Sequence, residues 1–444
     1  MKMPQSHVLL LPIAALLTVV FLLAPDRSDA ARPLRHERTT TTELHTLLAI
    51  KNEWGNPLQL ASWNTTDHCS WPGVTCVARS GGLVTGISFK GLNRSGSIPP
   101  SMCNLKYLTH LDISHNKLTD RFPSIPLYAC SRLRFLDLSY NAFFGVLPDD
   151  ISRLSPFMKY LNHTDNNFSG VVLLAIAELS ALNDLLLDSH RFTGGIPDSF
   201  SNLKELRVLN MWGNNLNGSI PVWIWQHQKL QILYVHENGL TGELPRNITM
   251  LNLVAIYLSF NKLNGNIPEV LGTLKTLKFI SLDTNEFTCP IPKSIGLLPN
   301  LEYLVLSNNS FLGSIPESTR LLPNLKCIQL ANNMLSSELP PELGKHSPLW
   351  EIEVENNNLS GSLPEHLCDN GVFNDLVVMN NNFSGELPAR MHNCLSLDNI
   401  MISNNNFFEE FPKNIWLFPL LSIVEISDNN FTGTFPTEIS SNIS

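Results

Sequence analysis

The stretch Leu301-Glu302-Tyr303-Leu304-Val305-Leu306-Ser307-Asn308-Asn309-Ser310-Phe311-Leu312-Gly313-Ser314-Ile315-Pro316 decides how this chain is built. Alternate residues of a strand point to opposite sides, so Leu304 and Leu306 share one side and Tyr303 and Val305 the other. Asn309 sits where the chain turns, and its side-chain amide is suited to pair with backbone groups of a neighbouring coil. A buried backbone group left without a partner costs about 1–3 kcal/mol. Gly313 permits close backbone approach. Ile315-Pro316 opens the opposite side of the coil, where proline rules out a helix interior.

The same pattern, L-x-x-L-x-L-x-x-N-x-L-x-G-x-I-P, runs through most of the chain. Its Asn site falls at 92, 116, 141, 166, 190, 214, 238, 261, 285, 309, 333, 357, 381, 405 and 429, in steps of 23 to 25 residues. Such a period is the mark of a solenoid, in which each coil buries its leucines only against its neighbours. The expected fold is a leucine-rich-repeat solenoid of α/β class. It has a parallel sheet on the concave face, a plant-type convex side, a right-handed superhelix and an N-terminal disulfide cap. Some coils depart from the pattern: Leu92 and His190 stand at the Asn site, His163 at an inward strand position, Cys289 and Glu409 at the Gly site, and Val172-Leu173 at Ile-Pro.

The expected organisation is a signal peptide over 1–30, a linker and cap over 31–83, and about fifteen repeats over 84–444. Lys2 precedes an apolar run from Val8 to Ala24, short for a membrane span, and Ser28 and Ala30 suit cleavage after Ala30. An uncleaved anchor is the alternative. Residues 44–76 differ from the repeats: Leu47, Leu48, Trp63 and Cys69-Ser70-Trp71-Pro72-Gly73-Val74-Thr75-Cys76 read as a short helix and a Cys69–Cys76 staple over the first coil. The far end has no Cys pair and no polar coil, so a C-terminal cap is expected to be absent and the chain truncated or incomplete.

The 444 residues carry 30 Lys+Arg against 39 Asp+Glu, a net charge of -9. Without a basic footprint, nucleic acid is not an expected partner. The eight cysteines suit a secreted chain. Cys103 and Cys130, and likewise Cys368 and Cys394, hold matching convex positions on adjacent coils, which predicts two further disulfides. A zinc site from His366, Cys368, His392 and Cys394 is the weaker alternative, so no metal and no cofactor is expected. Cys289 and Cys327 look free. Sequons stand at Asn64, Asn93, Asn162, Asn167, Asn217, Asn247, Asn308, Asn358, Asn382, Asn430 and Asn442, so N-linked glycans are expected on some.

No hydrolase, Walker or kinase motif occurs; Leu48-Ala49-Ile50-Lys51 echoes a kinase strand but lies in the cap. What remains is a binding face. Outward residues lie six, four and two positions before each Asn site. They form a slanting aromatic track, Trp212, Tyr234, Tyr257, Phe279 and Tyr303, bordered by His236, which suits an extended peptide. Phe135 and Tyr160 share the phase and illustrate the bland alternative, rings that simply cover leucines. Farther on, Glu351, Glu353 and Glu355 take all three outward positions of one strand, near Asp375 and Glu425. Like charges so close repel. Either a basic ligand group or a cation is expected there, or the face is merely solvated.

The repeats and the Trp…Cys-x-Trp-x-Gly-Val-x-Cys cap resemble the extracellular part of a plant leucine-rich-repeat receptor-like kinase. Ile98-Pro-Pro-Ser-Met-Cys103, Cys130-Ser-Arg-Leu-Arg-Phe-Leu-Asp-Leu-Ser, Leu339-Pro-Pro-Glu-Leu-Gly-Lys-His346-Ser and Leu363-Pro-Glu-His-Leu-Cys368 resemble the HAESA-like branch. The resemblance implies a plasma-membrane receptor that takes a small secreted peptide on its concave face, recruits a co-receptor kinase and signals through its own cytoplasmic Ser/Thr kinase. HAESA grips its peptide's carboxylate with an Arg-x-Arg pair; here Asn399 and Met401 stand in its place. Branch members without that pair, such as HAESA-like 3, are the better comparison. The expected function is a non-enzymatic, peptide-recognising ectodomain, extracellular or part of a longer single-pass receptor. The rivals are a secreted decoy and a polygalacturonase-inhibitor-like defence protein.

Overall fold

The computed structural model describes residues 36–77, 82–434, 436–439 and 442. The expected signal peptide lies outside the described residues. Among those described, no helix is long and apolar enough to cross a membrane.

Helix α1 (His36–Glu53) lays Leu47 and Ile50, both fully buried, over the first coil. Behind it Trp63 stacks on Trp71 at 5.0 Å and Trp54 meets Phe89 edge-on at 4.7 Å. Buried indoles need a partner for their N–H. Trp54 Nε1 donates to the Ser97 carbonyl and Trp63 Nε1 to that of Pro72, each at 3.1 Å. Cys69 and Cys76 are joined, with Cα atoms 5.7 Å apart. The cap strand Val74–Cys76 pairs antiparallel with Val84–Ser88 and so ties the cap to the solenoid.

From Val84–Ser88 onward each coil adds one short parallel strand, ending at Ile423–Glu425, in a sheet of sixteen strands whose first belongs to the cap. The register is constant: Tyr303 pairs with Cys327, Cys327 with Glu351, Glu351 with Asp375 and Asp375 with Asn399. Leu301, Leu304, Leu306, Phe311 and Ile315 are buried, as the opening pattern predicts. The convex side carries short 3-10 helices such as Glu317–Leu321, entered through Pro316 in the extended region. In the coil between Asn116 and Asn141 this place is taken by an α-helical turn, Ser124–Tyr128.

Asn309 shows how the coils are tied. Its Oδ1 accepts from Phe287 N at 3.0 Å, and its Nδ2 donates to the carbonyls of Leu282, Leu306 and Ser307 at 3.0, 3.1 and 3.1 Å. The same set recurs at each Asn site that holds asparagine, for example Asn116 and Asn429. His163 is fully buried between Phe122 and Phe168, at 5.5 and 5.6 Å, and burial pushes its pKa down to about 3. The Gly site is left-handed in every coil but that of Asn116, where Asp120 holds it, so Cys289 and Glu409 sit at φ 67° and Ser337, which the pattern reading passed over, at φ 71°.

Cys103–Cys130 and Cys368–Cys394 are joined between adjacent coils, with Cα separations of 4.8 and 5.2 Å. This overturns the zinc alternative: both thiolates are spent on each other, and His366 Nδ1 pairs with Asp369 Oδ2 at 2.7 Å. Cys289 and Cys327 are free, the first exposed and the second buried.

The sequons divide. Asn64, Asn93, Asn167, Asn217, Asn247, Asn308, Asn358, Asn382, Asn430 and Asn442 are exposed. Asn162 is the exception and a correction to the sequence reading. It lies on the concave strand Tyr160–Asn162, 7% exposed, and its Nδ2, the atom a glycan would occupy, donates to Asp137 Oδ2 at 3.1 Å.

Candidate ligand-binding face

Strand alternation sends leucines inward and the other residues onto the concave face, and the parallel register sets like positions side by side about 4.8 Å apart. The aromatic residues therefore become one layer. Trp212 stacks on His236 at 5.2 Å, Tyr234 on Tyr257 at 4.7 Å, Tyr257 on Phe279 at 6.3 Å and Phe279 on Tyr303 at 4.8 Å. His236 touches both tyrosines, with centroids 6.1 Å from each. All six side chains are half-buried, so the rings hold one another and keep one surface open. Burial lowers His236 to a pKa of about 4, which leaves it neutral across ordinary pH, and raises the Tyr234 phenol to about 12. Apart from Asp283, whose carboxyl burial raises above its ordinary value, the outward residues of these strands are uncharged, with phenol groups as polar handles.

A second stack lies nearer the cap. His110 packs on Phe135 at 3.9 Å and Phe135 on Tyr160 at 4.3 Å. The sequence reading named Phe135 and Tyr160 only as covers of leucines. It passed over His110, although all three share the phase six before their Asn site. Around them, burial raises Asp184 and Asp188 to pKa values of about 6. Asp188 is paired: Thr164 Oγ1 and Asn210 Nδ2 donate to it at 2.7 and 2.8 Å.

Beyond Tyr303 the row continues through Cys327, Glu351, Asp375 and Asn399. Here the carboxylates are more buried than a freely solvated face would hold them. Glu351 is only 1% exposed, and Glu353 and Glu355 are half-buried. Gln329 Nε2 donates to Glu351 Oε1, and Asn399 Nδ2 to Asp375 Oδ1. Burial, then the charges of Glu351 and Glu355, push Glu353 up to about 8. Burial also raises Glu351, Glu355 and Asp375, and raises the Cys327 thiol well above its ordinary value. Glu425, grouped with them from the sequence, is exposed and two strands farther along.

The chain resembles known proteins along nearly all of this body. The family described as Leucine rich repeat N-terminal domain matches residues 41–77. That described as Leucine Rich Repeat matches 107–127, 132–154, 205–227, 252–274, 300–322 and 324–346. The crystal structure of the Arabidopsis receptor kinase HAESA in complex with the peptide hormone IDA and the co-receptor SERK1 aligns with a TM-score of 0.80. The match has 30% identity and covers 90% of this chain and 71% of that one. A TDR receptor structure aligns with a TM-score of 0.71 and 30% identity, covering 79% of this chain and 64% of that one. Pollen receptor-like kinase 2 of Arabidopsis thaliana is 34% identical over 161 residues, 35% of this chain. That alignment spans only 24% of the relative's own length. On cap, repeats and overall course, the chain belongs to the leucine-rich-repeat ectodomains of plant receptor-like kinases.

Proposed function

We propose that this chain is the ligand-recognising part of a plasma-membrane receptor kinase, and that it seats a small secreted peptide along Trp212, Tyr234, His236, Tyr257, Phe279 and Tyr303. One observation carries the reading: the half-open aromatic stack from Trp212 to Tyr303. Large rings at the centre of a concave face supply contact area at little entropy cost. The similar HAESA ectodomain holds a peptide hormone and a co-receptor. By analogy, a co-receptor kinase would join this chain once the peptide is bound, and a kinase domain on the same polypeptide would carry the signal. N-linked glycans on the exposed sequons would leave the concave strands clear.

Within the HAESA-like branch, members without the Arg-x-Arg pair remain the better comparison. Asn399 and Met401 offer no cation, and Asp375 beside Asn399 would repel a free carboxylate. The peptide's terminus is therefore not held there.

The test is a selection of random nine-residue peptides displayed on phage, made against the secreted, glycosylated ectodomain. A consensus is expected that the Tyr234→Ala/Tyr257→Ala double variant no longer enriches. Equal enrichment by both proteins would remove the aromatic track from the reading.

A further inference from the structure

The aromatic row and the acidic residues share one register, so whatever lies on the first reaches the second. From Tyr234 to Glu351 is five strand steps, roughly 24 Å, the span of about seven extended residues. We infer that Glu351, Glu353, Glu355 and Asp375 form a subsite for a guanidinium group, an arginine side chain carried by the ligand. The inference rests on the peptide reading above for the identity of the carrier, though not for the chemistry of the subsite.

Three observations converge on a missing donor. First, with the cluster ionised, Glu351 Oε2, Glu355 Oε2 and Asn399 Oδ1 are shut off from solvent and accept no hydrogen bond; Glu351 finds relief only from inside the cluster, from the Cys327 thiol and a proton on Glu353. Buried acceptors in native proteins nearly always have a partner, and one left bare costs free energy. Glu351 is 99% buried, so water offers it little relief. Second, the described residues supply no counter-charge. Among the described residues no Lys, Arg or His forms an ion pair with any of the four carboxylates. The nearby cations Lys278 and Lys326 are both held by Glu302, at 3.0 and 2.7 Å.

Third, the spacing selects the size of the cation. Alternate residues of a strand lie roughly 6.5–7 Å apart and neighbouring strands about 4.8 Å. A metal ion needs several oxygens drawn closely together. Among the described residues, the sole grouping of three metal-ligating side chains whose atoms lie within 4.8 Å of one another is His68, Cys69 and Cys76, whose cysteines are disulfide-bonded. No three carboxylates of this subsite come that close, although Glu351 and Glu353 lie within hydrogen-bonding reach of each other. A planar fork with five donors bridges two carboxylates at such spacing and still reaches an amide oxygen.

Until the ligand arrives the cluster lowers its own charge with a proton. Glu353 is faced by Glu351 and Glu355 on its own strand, by Asp375 on the next and by Cys327 and Gln329 on the one before. A guanidinium entering there replaces that proton, so binding releases one to the buffer.

The decisive probe is N-acetyl-L-arginine amide, with the uncharged isostere N-acetyl-L-citrulline amide as control. Both are titrated by calorimetry into the secreted ectodomain in two buffers of different ionisation enthalpy. Saturable binding is expected for the arginine compound alone, with a buffer-dependent heat from the released proton. Affinity should fall about tenfold or more in Glu351→Gln/Glu353→Gln and in Asp375→Asn. It should persist in Glu425→Gln, an exposed carboxylate outside the subsite. Circular dichroism melts show whether each variant is folded, and the two acidic-site variants check each other.

Equal binding of arginine and citrulline compounds, or undiminished binding by both acidic-site variants, overturns the subsite. So does stabilisation by CaCl2, lost in the same variants, without binding of the arginine compound: the carboxylates would then hold a metal. The phage selection separates the two readings. Peptides enriched without arginine at a fixed position leave the peptide reading standing and sink the subsite. Binding of the arginine compound with no peptide enriched does the reverse.

Discussion

Replacing Asn309 with alanine tests the bonds that tie one coil to the next. The substitution removes four hydrogen bonds, but the structure shows that their losses are unequal. The Leu282 carbonyl keeps a donor in Asn285 Nδ2 at 3.0 Å. The Leu306 carbonyl keeps Asn333 Nδ2 at 3.1 Å. The Ser307 carbonyl keeps the Thr284 amide at 2.9 Å. The Phe287 N–H loses the acceptor that Asn309 provides, beside a fully buried ring. An orphaned buried N–H costs about 1–3 kcal/mol, and three weakened carbonyls add a fraction of that, so Asn309→Ala should cost about 2–4 kcal/mol. Asn309→Asp keeps the acceptor for Phe287 but turns an oxygen toward three carbonyls, and should destabilise at least as much. A solenoid need not unfold in one step, so the assay is amide hydrogen exchange by mass spectrometry across residues 282–311, beside urea unfolding. Protection should fall in the two coils that flank Asn309 and recover within one or two coils on either side. An alanine variant within about 0.5 kcal/mol of wild type, or an aspartate variant of native stability, would show that the amide is not what holds adjacent coils together.

The other predictions concern strain, pH and sugar. Ser337→Gly and Glu409→Gly relieve left-handed residues at φ 71° and 67° and should each stabilise by about 0.5–1 kcal/mol after the entropy loss of glycine, whereas Ser337→Ala should not; urea midpoints decide. In the reverse direction Gly361→Ala sets a methyl group 2.5 Å from Glu338 Cγ at φ 76°, and should destabilise. Glu353 has a folded pKa of about 8 against an ordinary 4.5, so the folded state binds more protons between them. Its contribution is full below about 4.5 and lost as pH rises through about 8, so Glu353→Gln should flatten that limb of the stability profile. His163 has the opposite sign. With a folded pKa of about 3 against 6.5, its contribution is present above 6.5 and lost as pH falls toward 3, so His163→Leu should improve acid stability in equilibrium unfolding. Glycopeptide mapping of the secreted protein should find Asn162 bare and sugar on exposed sequons such as Asn358 and Asn382; a fully occupied Asn162 would contradict its packing against Asp137.

Much of the architecture was legible in one coil because its interactions repeat at a fixed distance along the chain. The Asn309 amide, the inward Leu304 and Leu306 and the left-handed Gly313 each depend on a neighbour one period away, and that neighbour obeys the same pattern. The cysteine pairs were legible for the same reason: equal phase on adjacent coils means proximity. The aromatic track could be listed from phase alone. That its rings form a continuous series, stacked except where His236 meets the tyrosines at an angle, and that His110 begins another with Phe135 and Tyr160, depended on side-chain direction across strands.

By itself, then, the sequence determined the solenoid, its cap and the roster of concave residues, because those follow from the period and from strand alternation. The tertiary structure decided the environment of each residue on that roster. Asn162 bears a sequon like ten others, yet Asp137 and Tyr160 on its concave face engage its amide nitrogen. Glu351 stands out in sequence only as one of three outward glutamates, which leaves its solvation open; in the fold it is buried. The physical reason is common to both. Desolvation and hydrogen bonding on the concave face are set by irregular side chains from adjacent coils, and those lie at positions the repeat leaves free to vary.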